Sequence, residues 1–220
     1  MEMSAMTEFC LRVAAIAVIA YFCGCFNGAV IVSKYILRDD VRTHGSGNAG
    51  LTNFYRTFGG PLTLVVILTD VLKAVVAVSV GAMLAGGFAP AFWSGELVVY
   101  GKFWGGLFCL LGHMFPCMFG FKGGKGILSG GTIAIMLDWR IALVVWGGFI
   151  LLVLLTRYVS LGSVWAGGSF PFAAWFVYRD FRLAVLGAVM GWLVVYMHRA
   201  NIKRLLTGTE NKFSLHKKKS

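Results

Sequence analysis

The segment 43–56, THGSGNAGLTNFYR, concentrates glycines, hydroxyls, amides and an arginine between two strongly apolar stretches. Glycines allow tight turns, and hydroxyl, amide and guanidinium groups donate hydrogen bonds to phosphate or carboxylate oxygens. The candidate anion-binding residues of this segment are Ser46, Gly47, Asn48, Thr52, Asn53 and Arg56. An ordinary turn-rich loop ahead of a helix is the alternative, but such a loop does not require so many donors so close together.

Residues 121–126, FKGGKG, form a second candidate anion site. Successive glycines can turn backbone N–H groups toward one point, two lysines supply positive charge, and the helix predicted to follow adds its partly positive N-terminus. The segment is not a Walker A loop, because Phe119 and Gly126 stand where that motif has Gly and Ser or Thr. The predicted phosphate-binding residues are Lys122, Gly123, Gly124, Lys125 and Gly126. The alternative is a flexible loop whose two lysines only follow the positive-inside rule and bind no ligand.

His198 and Asn201 are three residues apart at the end of the last apolar run, so both project from one face of a helix. A histidine there can act as a general base or donate a hydrogen bond to a substrate oxygen. A histidine that merely lies at a membrane interface is the alternative. The five cysteines lack paired-ligand spacing and favour packing in lipid, so no metal site is predicted.

Asp70 and Lys73 are also three residues apart, inside the second apolar run. Charge at that depth is costly in lipid unless it is paired, so we predict that the two side chains neutralise each other. The spacing alone does not say whether this pair contacts the candidate site.

The composition indicates that membrane helices position these residues. Of 220 residues, 58% are hydrophobic and only 13% are charged, and the mean hydropathy is +0.78. A soluble domain carries roughly twice that charged fraction, so the sequence predicts an all-α integral membrane protein. We expect one domain over residues 1–220, a first apolar segment that is retained as a span, and a flexible basic tail over 211–220.

Seven apolar runs are candidate transmembrane helices, over 9–33, 61–86, 97–118, 127–137, 141–156, 162–178 and 183–199. The fourth and fifth are short and separated only by DWR, so a helical hairpin is an alternative for that pair. The positive-inside rule places the N-terminus outside and the C-terminus in the cytoplasm, because most Lys and Arg residues then lie inside. Topology and a C-terminal HKKKS that favours anionic lipid thus explain the net charge of +11 without a nucleic-acid partner.

With this orientation the polar segments 42–59, 120–131, 157–163 and 198–212 all face the cytoplasm, while the outer loops are short and chemically plain. A one-sided site indicates an enzyme that uses cytosolic substrates. A transporter of an anionic solute is the alternative, but it predicts internal repeats and polar residues that reach both faces, and neither is evident.

Read together, these segments resemble the bacterial acyl-phosphate:glycerol-3-phosphate acyltransferases, the integral membrane PlsY family, over nearly the whole chain. GSGNAGLTNFYRTFG is similar to the first motif of that family, DVLK to its Asp-x-x-Lys, and GHMFPCMFGFKGGKG to its glycine-rich second motif. SLGS and HRANIKRLLTGTENK match the remaining segments in the same order. Ala49 and Leu51 depart from the usual Pro and Ala, and ILS replaces Val-Ala-Thr after GGKG. No histidine is followed by Asp five residues on, which excludes the unrelated His-x4-Asp acyltransferases.

The resemblance implies a reaction. A fatty acyl group passes from acyl phosphate to the 1-hydroxyl of sn-glycerol 3-phosphate, giving lysophosphatidic acid and phosphate, which is the first acylation of phospholipid synthesis. The resemblance further implies that no acyl-CoA, metal or cofactor takes part, and that the site faces the cytoplasm from the bacterial inner membrane.

The resemblance also implies residue roles. The groups expected to bind the phosphate of glycerol 3-phosphate are Ser46, Arg56, Lys125 and Ser163, with Ser160 as the alternative serine. The backbone around Gly123, Gly124 and Gly126 is expected to bind the acyl-phosphate headgroup. His198 and Asn201 are expected to orient the glycerol hydroxyls with support from Glu210. Because the family has no obvious dedicated base, the departing acyl-phosphate oxygen is expected to take the proton.

Overall fold

The computed structural model describes residues 5–86 and 95–213, and within these ranges the regular elements are all helices. The last seven residues of the predicted basic tail and most of the outer loop before the third apolar run lie outside the described residues. The chain divides into two compact units, Met1–Leu137 and Asp138–Ser220, where the sequence predicts one domain.

The first unit contains three long helices, α1 (Ala5–Cys25), α4 (Leu62–Gly86) and α5 (Glu96–Met114). The shorter helices are α2 (Gly28–Ile31), α3 (Leu51–Thr57) and α6 (Ile127–Leu137). A π-helical turn over Val32–Ile36 extends α2, and 3-10 turns occupy Val41–Thr43 and Cys117–Phe119. The loops 37–50 and 115–126 connect these helices and contain the start of the candidate segment 43–56 and all of the candidate segment 121–126.

Glycines allow α1, α4 and α5 to pack backbone against backbone. A Cβ at Gly24 of α1 would collide with the carbonyl oxygen of Cys109 in α5, and Cβ atoms at Gly81 and Gly101 would each collide with the other residue's carbonyl oxygen. Small residues permit such close approach in membranes, where packing rather than hydrophobic transfer holds helices together. These contacts fix the position of α5, and therefore the start of the loop that follows it.

The second unit consists of α7 (Trp139–Thr156), α8 (Val159–Tyr178), α9 (Phe181–Met197) and α10 (Arg199–Leu206). Asp138 and Asp180 cap α7 and α9 by accepting hydrogen bonds from backbone N–H groups two residues on. Gly167 of α8 and Gly191 of α9 are in close contact. The chain turns by 60° between α9 and α10, which puts His198 at the bend.

Large apolar side chains cover the outside of the helices, for example Leu154 at 74% and Phe181 at 74% exposure. Such surfaces belong in lipid rather than water. By length and hydropathy, Thr7–Ile36, Leu62–Gly86, Glu96–Phe119 and Trp139–Thr156 can each cross a membrane, and bent α9–α10 adds a fifth candidate. All seven predicted apolar runs coincide with helices, although α6 extends only about 16 Å at 1.5 Å per residue.

Candidate active site

The side-chain amide of Asn53 stabilises the shape of the loop over residues 41–53. The Nδ2 group of Asn53, which is only 5% exposed, donates to the carbonyl oxygens of Val41, His44 and Asn48 at 2.9, 3.1 and 3.0 Å. Its Oδ1 accepts from the backbone N–H of Ser46 at 3.0 Å. Asn53 was predicted to bind substrate, but these four bonds engage its donors and acceptor inside the protein, so it shapes the loop instead.

Apolar residues anchor both ends of this loop in the core of the first unit. The buried cluster beneath it consists of Ala29, Val30, Val32, Val41, Ala49, Phe54 and Val66. Asn27, which caps α2, is 1% exposed and donates from Nδ2 to the carbonyl oxygen of Ala49 at 3.0 Å. The loop therefore has a defined path although much of it faces outward.

Arg42 joins the two predicted anion-binding loops. Its Nε and Nη2 groups donate to the two carboxylate oxygens of Asp40 at 2.9 and 2.7 Å, and its Nη1 group donates to the carbonyl oxygen of Phe119 at 2.7 Å. The hydrogen bond from Arg42 lowers the pKa of Asp40 from 3.8 to about 2. Nδ2 of Asn48 also lies 3.5 Å from the carbonyl oxygen of Gly123. The two loops, far apart in sequence, thus contact each other.

The glycine loop differs in one respect from its prediction. The N–H groups of Gly123 and Gly124 donate to the carbonyl oxygens of Met114 and His113, both at 3.1 Å, so they are not turned toward an outside anion. Gly126, at φ +78°, makes the turn into α6. The first N–H groups of a helix have no partner within it. The start of α6 and the two lysines are therefore the remaining positive features of this loop.

The remaining predicted side chains of the first unit lie on its surface. Ser46, Thr52, Arg56 and Lys122 are exposed, and Lys125 is partly buried. Within residues 5–86 and 95–213, the Arg56 guanidinium has no hydrogen-bond or ion-pair partner. Exposed donors of this kind, next to a loop whose shape is fixed by other residues, are available to an anionic ligand.

In the second unit, the predicted polar residues lie around the carboxylate of Glu210. Asn201 donates from Nδ2 to Oε1 of Glu210 at 2.8 Å, and Arg204 donates from Nε to Oε2 at 2.6 Å. Burial by itself raises the pKa of Glu210, but these hydrogen bonds outweigh it, so the pKa lies below its usual value. Ser160 lies close enough to contribute to that lowering, although its buried Oγ makes no hydrogen bond of normal geometry to any described residue.

His198 is 3% exposed and its Nδ1 lies 2.8 Å from the carbonyl oxygen of Val194. A carbonyl can only accept, so Nδ1 carries the proton and the lone pair of a neutral ring lies on Nε2. Ser163 donates from Oγ to the carbonyl oxygen of Val159 at 2.9 Å, which leaves its oxygen lone pairs as acceptors. The beginning of the basic tail is attached here, because the N–H of Phe213 donates to the carbonyl oxygen of Arg157 at 2.7 Å.

The structure adds site residues that sequence reasoning missed, namely Asn27, Asp40, Arg42 and His113. The Asp40-x-Arg42 spacing was a visible signal, but Arg42 was counted only as part of the polar segment 42–59 and was given no role of its own. Asn27 and His113 sit in apolar surroundings and carry no comparable signal. The predicted pairing of Asp70 and Lys73 is confirmed, with Nζ 2.6 Å from Oδ1.

These features define a helical membrane protein with exposed cationic and polar side chains on its loops. Residues 14–208 match the family model of the glycerol-3-phosphate acyltransferases. The chain belongs to this family, as its resemblance to the PlsY proteins predicted. Glycerol-3-phosphate acyltransferases of Thermoanaerobacter pseudethanolicus and Clostridioides difficile are 35% and 40% identical to it. The two matches cover 89% and 92% of this chain, and 93% and 96% of the relatives.

Solved structures of PlsY, an integral membrane glycerol 3-phosphate acyltransferase, share the fold. The glycerol 3-phosphate form has a TM-score of 0.78 and 30% identity, and the match covers 92% of this chain and 96% of that one. The lysophosphatidic acid form has a TM-score of 0.75 at 30% identity, with 92% and 95% coverage. The family membership favours the predicted enzyme over the predicted alternative, a transporter of an anionic solute.

Proposed function

We propose that this protein transfers a fatty acyl group from acyl phosphate to the 1-hydroxyl of sn-glycerol 3-phosphate. The hydroxyl oxygen bonds to the acyl carbonyl carbon, the bond from that carbon to the phosphate oxygen breaks, and lysophosphatidic acid and inorganic phosphate result. The observation that supports this most strongly is the match to glycerol-3-phosphate acyltransferases along nearly the whole chain. The product places the reaction at the first acylation of phospholipid synthesis.

The two phosphate groups require positive charge at the cytoplasmic loops. Arg56 and Lys125, with the hydroxyls of Ser46 and Ser163, bind the phosphate of glycerol 3-phosphate in this proposal. Thr52, Lys122, the turn at Gly126 and the N-terminus of α6 serve the acyl phosphate. The exposure of Arg56 and Lys122 supports these roles, because neither side chain is committed to the fold. Bidentate guanidinium contacts suit phosphate geometry.

The hydroxyls of glycerol are oriented by His198 and Asn201 in this proposal. Nε2 of His198 accepts a hydrogen bond from one hydroxyl, since its Nδ1 donates to the protein. Glu210 fixes the amide of Asn201, and its lowered pKa keeps it ionised at neutral pH. Acyl phosphate is an activated anhydride, so the departing phosphate oxygen can take the proton of the attacking hydroxyl. Holding two reactants in one geometry contributes on the order of 7–11 kcal/mol to such a step.

The acyl donor reaches the site from the lipid phase, with seven helical crossings, the N-terminus outside and the C-terminus in the cytoplasm. Both units then act as one functional domain in the bacterial inner membrane. Most basic residues of the loops lie on the cytoplasmic side in this arrangement, which is what the positive-inside rule requires. No metal and no acyl-CoA enter the proposed reaction.

The choice of donor tests this function. We expect purified protein in detergent to form lysophosphatidic acid from glycerol 3-phosphate and palmitoyl phosphate, and to form none when palmitoyl-CoA replaces palmitoyl phosphate. Product is measured with radiolabelled glycerol 3-phosphate. His198→Ala, purified identically, controls for contaminating acyltransferases. Product formation from palmitoyl-CoA alone would refute the proposed donor.

A further inference from the structure

A buried polar cluster lies behind the glycine loop in the first unit. Nζ of Lys73 donates to the carbonyl oxygen of Phe26 at 3.1 Å, to Oδ1 of Asp70 at 2.6 Å and to Nδ1 of His113 at 2.6 Å. The side chains of Lys73 and Asp70 are 3% and 4% exposed, and His113 is 2% exposed. An ammonium group has three donors, and here each one has an acceptor.

This arrangement fixes the protonation of His113. An ammonium group has no lone pair, so Nδ1 of the imidazole must accept from Lys73, and the proton of the neutral ring lies on Nε2. The cluster then holds one negative charge, one positive charge and a neutral ring, which is the combination that an apolar environment tolerates. Charge neutrality alone needs only Asp70 and Lys73, so His113 calls for a further explanation.

His113 contacts the glycine loop in two ways. Its carbonyl oxygen accepts the N–H of Gly124 at 3.1 Å, and its Nε2 occupies the space that a Cβ at Gly124 would need. On the other side of the loop, Oγ of Ser129 in α6 donates to the carbonyl oxygen of Asp70 at 3.1 Å. The buried cluster therefore contacts the residues on both sides of Lys125 and Gly126.

We propose that Asp70, Lys73 and His113 are positioning residues that set the affinity for the acyl-phosphate donor. Lys73, neutralised by Asp70, holds the His113 ring in one orientation and one tautomer. The ring in turn supports Gly124, and through it the turn at Gly126 and the start of α6, which serve the donor in the proposed function. This inference rests on the proposed function, because it assigns the turn at Gly126 and the start of α6 to the donor, whereas Lys125 of the same loop binds glycerol 3-phosphate.

The test removes the charged pair without leaving a buried charge. The double variant Asp70→Leu/Lys73→Met replaces an ion pair by apolar side chains, a change that is often neutral for stability. His113→Asn is the second variant, because its amide can still contact Lys73 while the ring behind Gly124 is lost. Cys109→Ala is the matched control: it is buried next to the cluster, and its Sγ donates to the backbone oxygen of Lys73 at 3.9 Å rather than to a side chain of the cluster.

Two readouts separate this inference from the proposed function. Titration of the melting temperature with palmitoyl phosphate gives the Kd of the donor without turnover, and steady-state kinetics give KM for each substrate. We expect both variants to raise the Kd and the KM for palmitoyl phosphate on the order of ten- to a hundredfold, which is the effect of a misplaced binding group. The KM for glycerol 3-phosphate should rise by a clearly smaller factor than the donor KM, because Lys125 alone of its proposed phosphate-binding groups lies on this loop. The Cys109→Ala values should change by less than about twofold.

Unchanged donor Kd in either correctly folded variant would overturn the inference. So would an equal rise in the KM values of both substrates, because that is the result of general loosening. Wild-type protein that binds palmitoyl phosphate but forms no product would refute the proposed function and leave the binding test of the cluster intact. Wild-type protein that does not bind palmitoyl phosphate would overturn both.

Discussion

Single side chains in the first polar loop divide into those that shape it and those that face outward. Asn53 makes four hydrogen bonds to the backbone of its own loop, whereas Ser46, Thr52 and Arg56 are exposed. All four are small polar or charged residues within eleven positions, so composition does not separate them. The difference between these residues appears only in the folded loop, where backbone carbonyl oxygens surround the amide of Asn53.

At the residue scale, the phosphate-binding role predicts the kinetics of two variants. Arg56→Ala and Lys125→Ala should raise the KM for glycerol 3-phosphate, because each removes a charged donor to its phosphate. A hydrogen bond to a charged group contributes about 1.5–3 kcal/mol, so we expect an increase on the order of ten- to a hundredfold. Steady-state assays at saturating palmitoyl phosphate measure it.

Arg38→Ala is the control, since Arg38 is an exposed arginine of the same unit that has no proposed role. The KM of Arg38→Ala for glycerol 3-phosphate should stay within about twofold of the wild-type value. If Arg56→Ala and Lys125→Ala both behave like this control, the phosphate-binding role of these residues is wrong.

At the scale of elements, the contact between the two loops depends on Arg42. This side chain connects the 3-10 turn at Val41–Thr43 to the carbonyl oxygens of the loop that follows α5. Asp40 orients the guanidinium by accepting hydrogen bonds at both carboxylate oxygens. Side-chain exposures of 18% for Arg42 and 22% for Asp40 reduce the screening of the pair by water. The pair therefore couples two segments that are almost eighty residues apart in sequence.

The Asp40–Arg42 pair should give stability a defined pH dependence. The pKa of Asp40 is lowered to about 2 in the folded protein, below its ordinary value of 3.8. Stabilisation by a carboxylate with a lowered pKa is fully present above the ordinary pKa and is lost as the pH falls through the lowered one. The melting temperature of wild type should thus exceed that of Asp40→Asn by a constant amount from about pH 8 to pH 5, and the difference should vanish toward pH 2.

Melting curves of both proteins in the same detergent at each pH provide the measurement. A difference that stays constant down to about pH 2 would show that the ionised carboxylate is not its source.

Helices were more predictable than loops for a physical reason. The predicted run 127–137 coincides with α6, and 61–86 differs from α4 by one residue, because lipid selects continuous apolar stretches whose backbone groups are paired within a helix. Loop geometry depends on hydrogen bonds between distant segments, which single-sequence patterns do not contain. The glycine loop illustrates this, since its N–H groups at Gly123 and Gly124 are used internally rather than aimed at an anion.

At the scale of the whole molecule, the proposed topology gives each loop a side of the membrane. In a variant without native cysteines, Ser46→Cys and Lys212→Cys should react with a membrane-impermeant maleimide only after permeabilisation. Gly95→Cys, at the exposed start of α5, should react in intact cells because it lies on the outer side. Mass shifts of the labelled protein on gels report the result. Reaction of Ser46→Cys and Lys212→Cys from opposite sides would exclude a shared cytoplasmic site.

Few substitutions are tolerated where α4 and α5 contact each other through Gly81 and Gly101. Every amino acid that a single-base change of a glycine codon can encode is larger than glycine, and any Cβ at either position meets a carbonyl oxygen of the partner helix. Lineages that change one of these positions therefore need a second change to restore the helix spacing. The slowest-changing codons of the gene should thus include those of Gly81 and Gly101, although neither residue has a role in the proposed reaction.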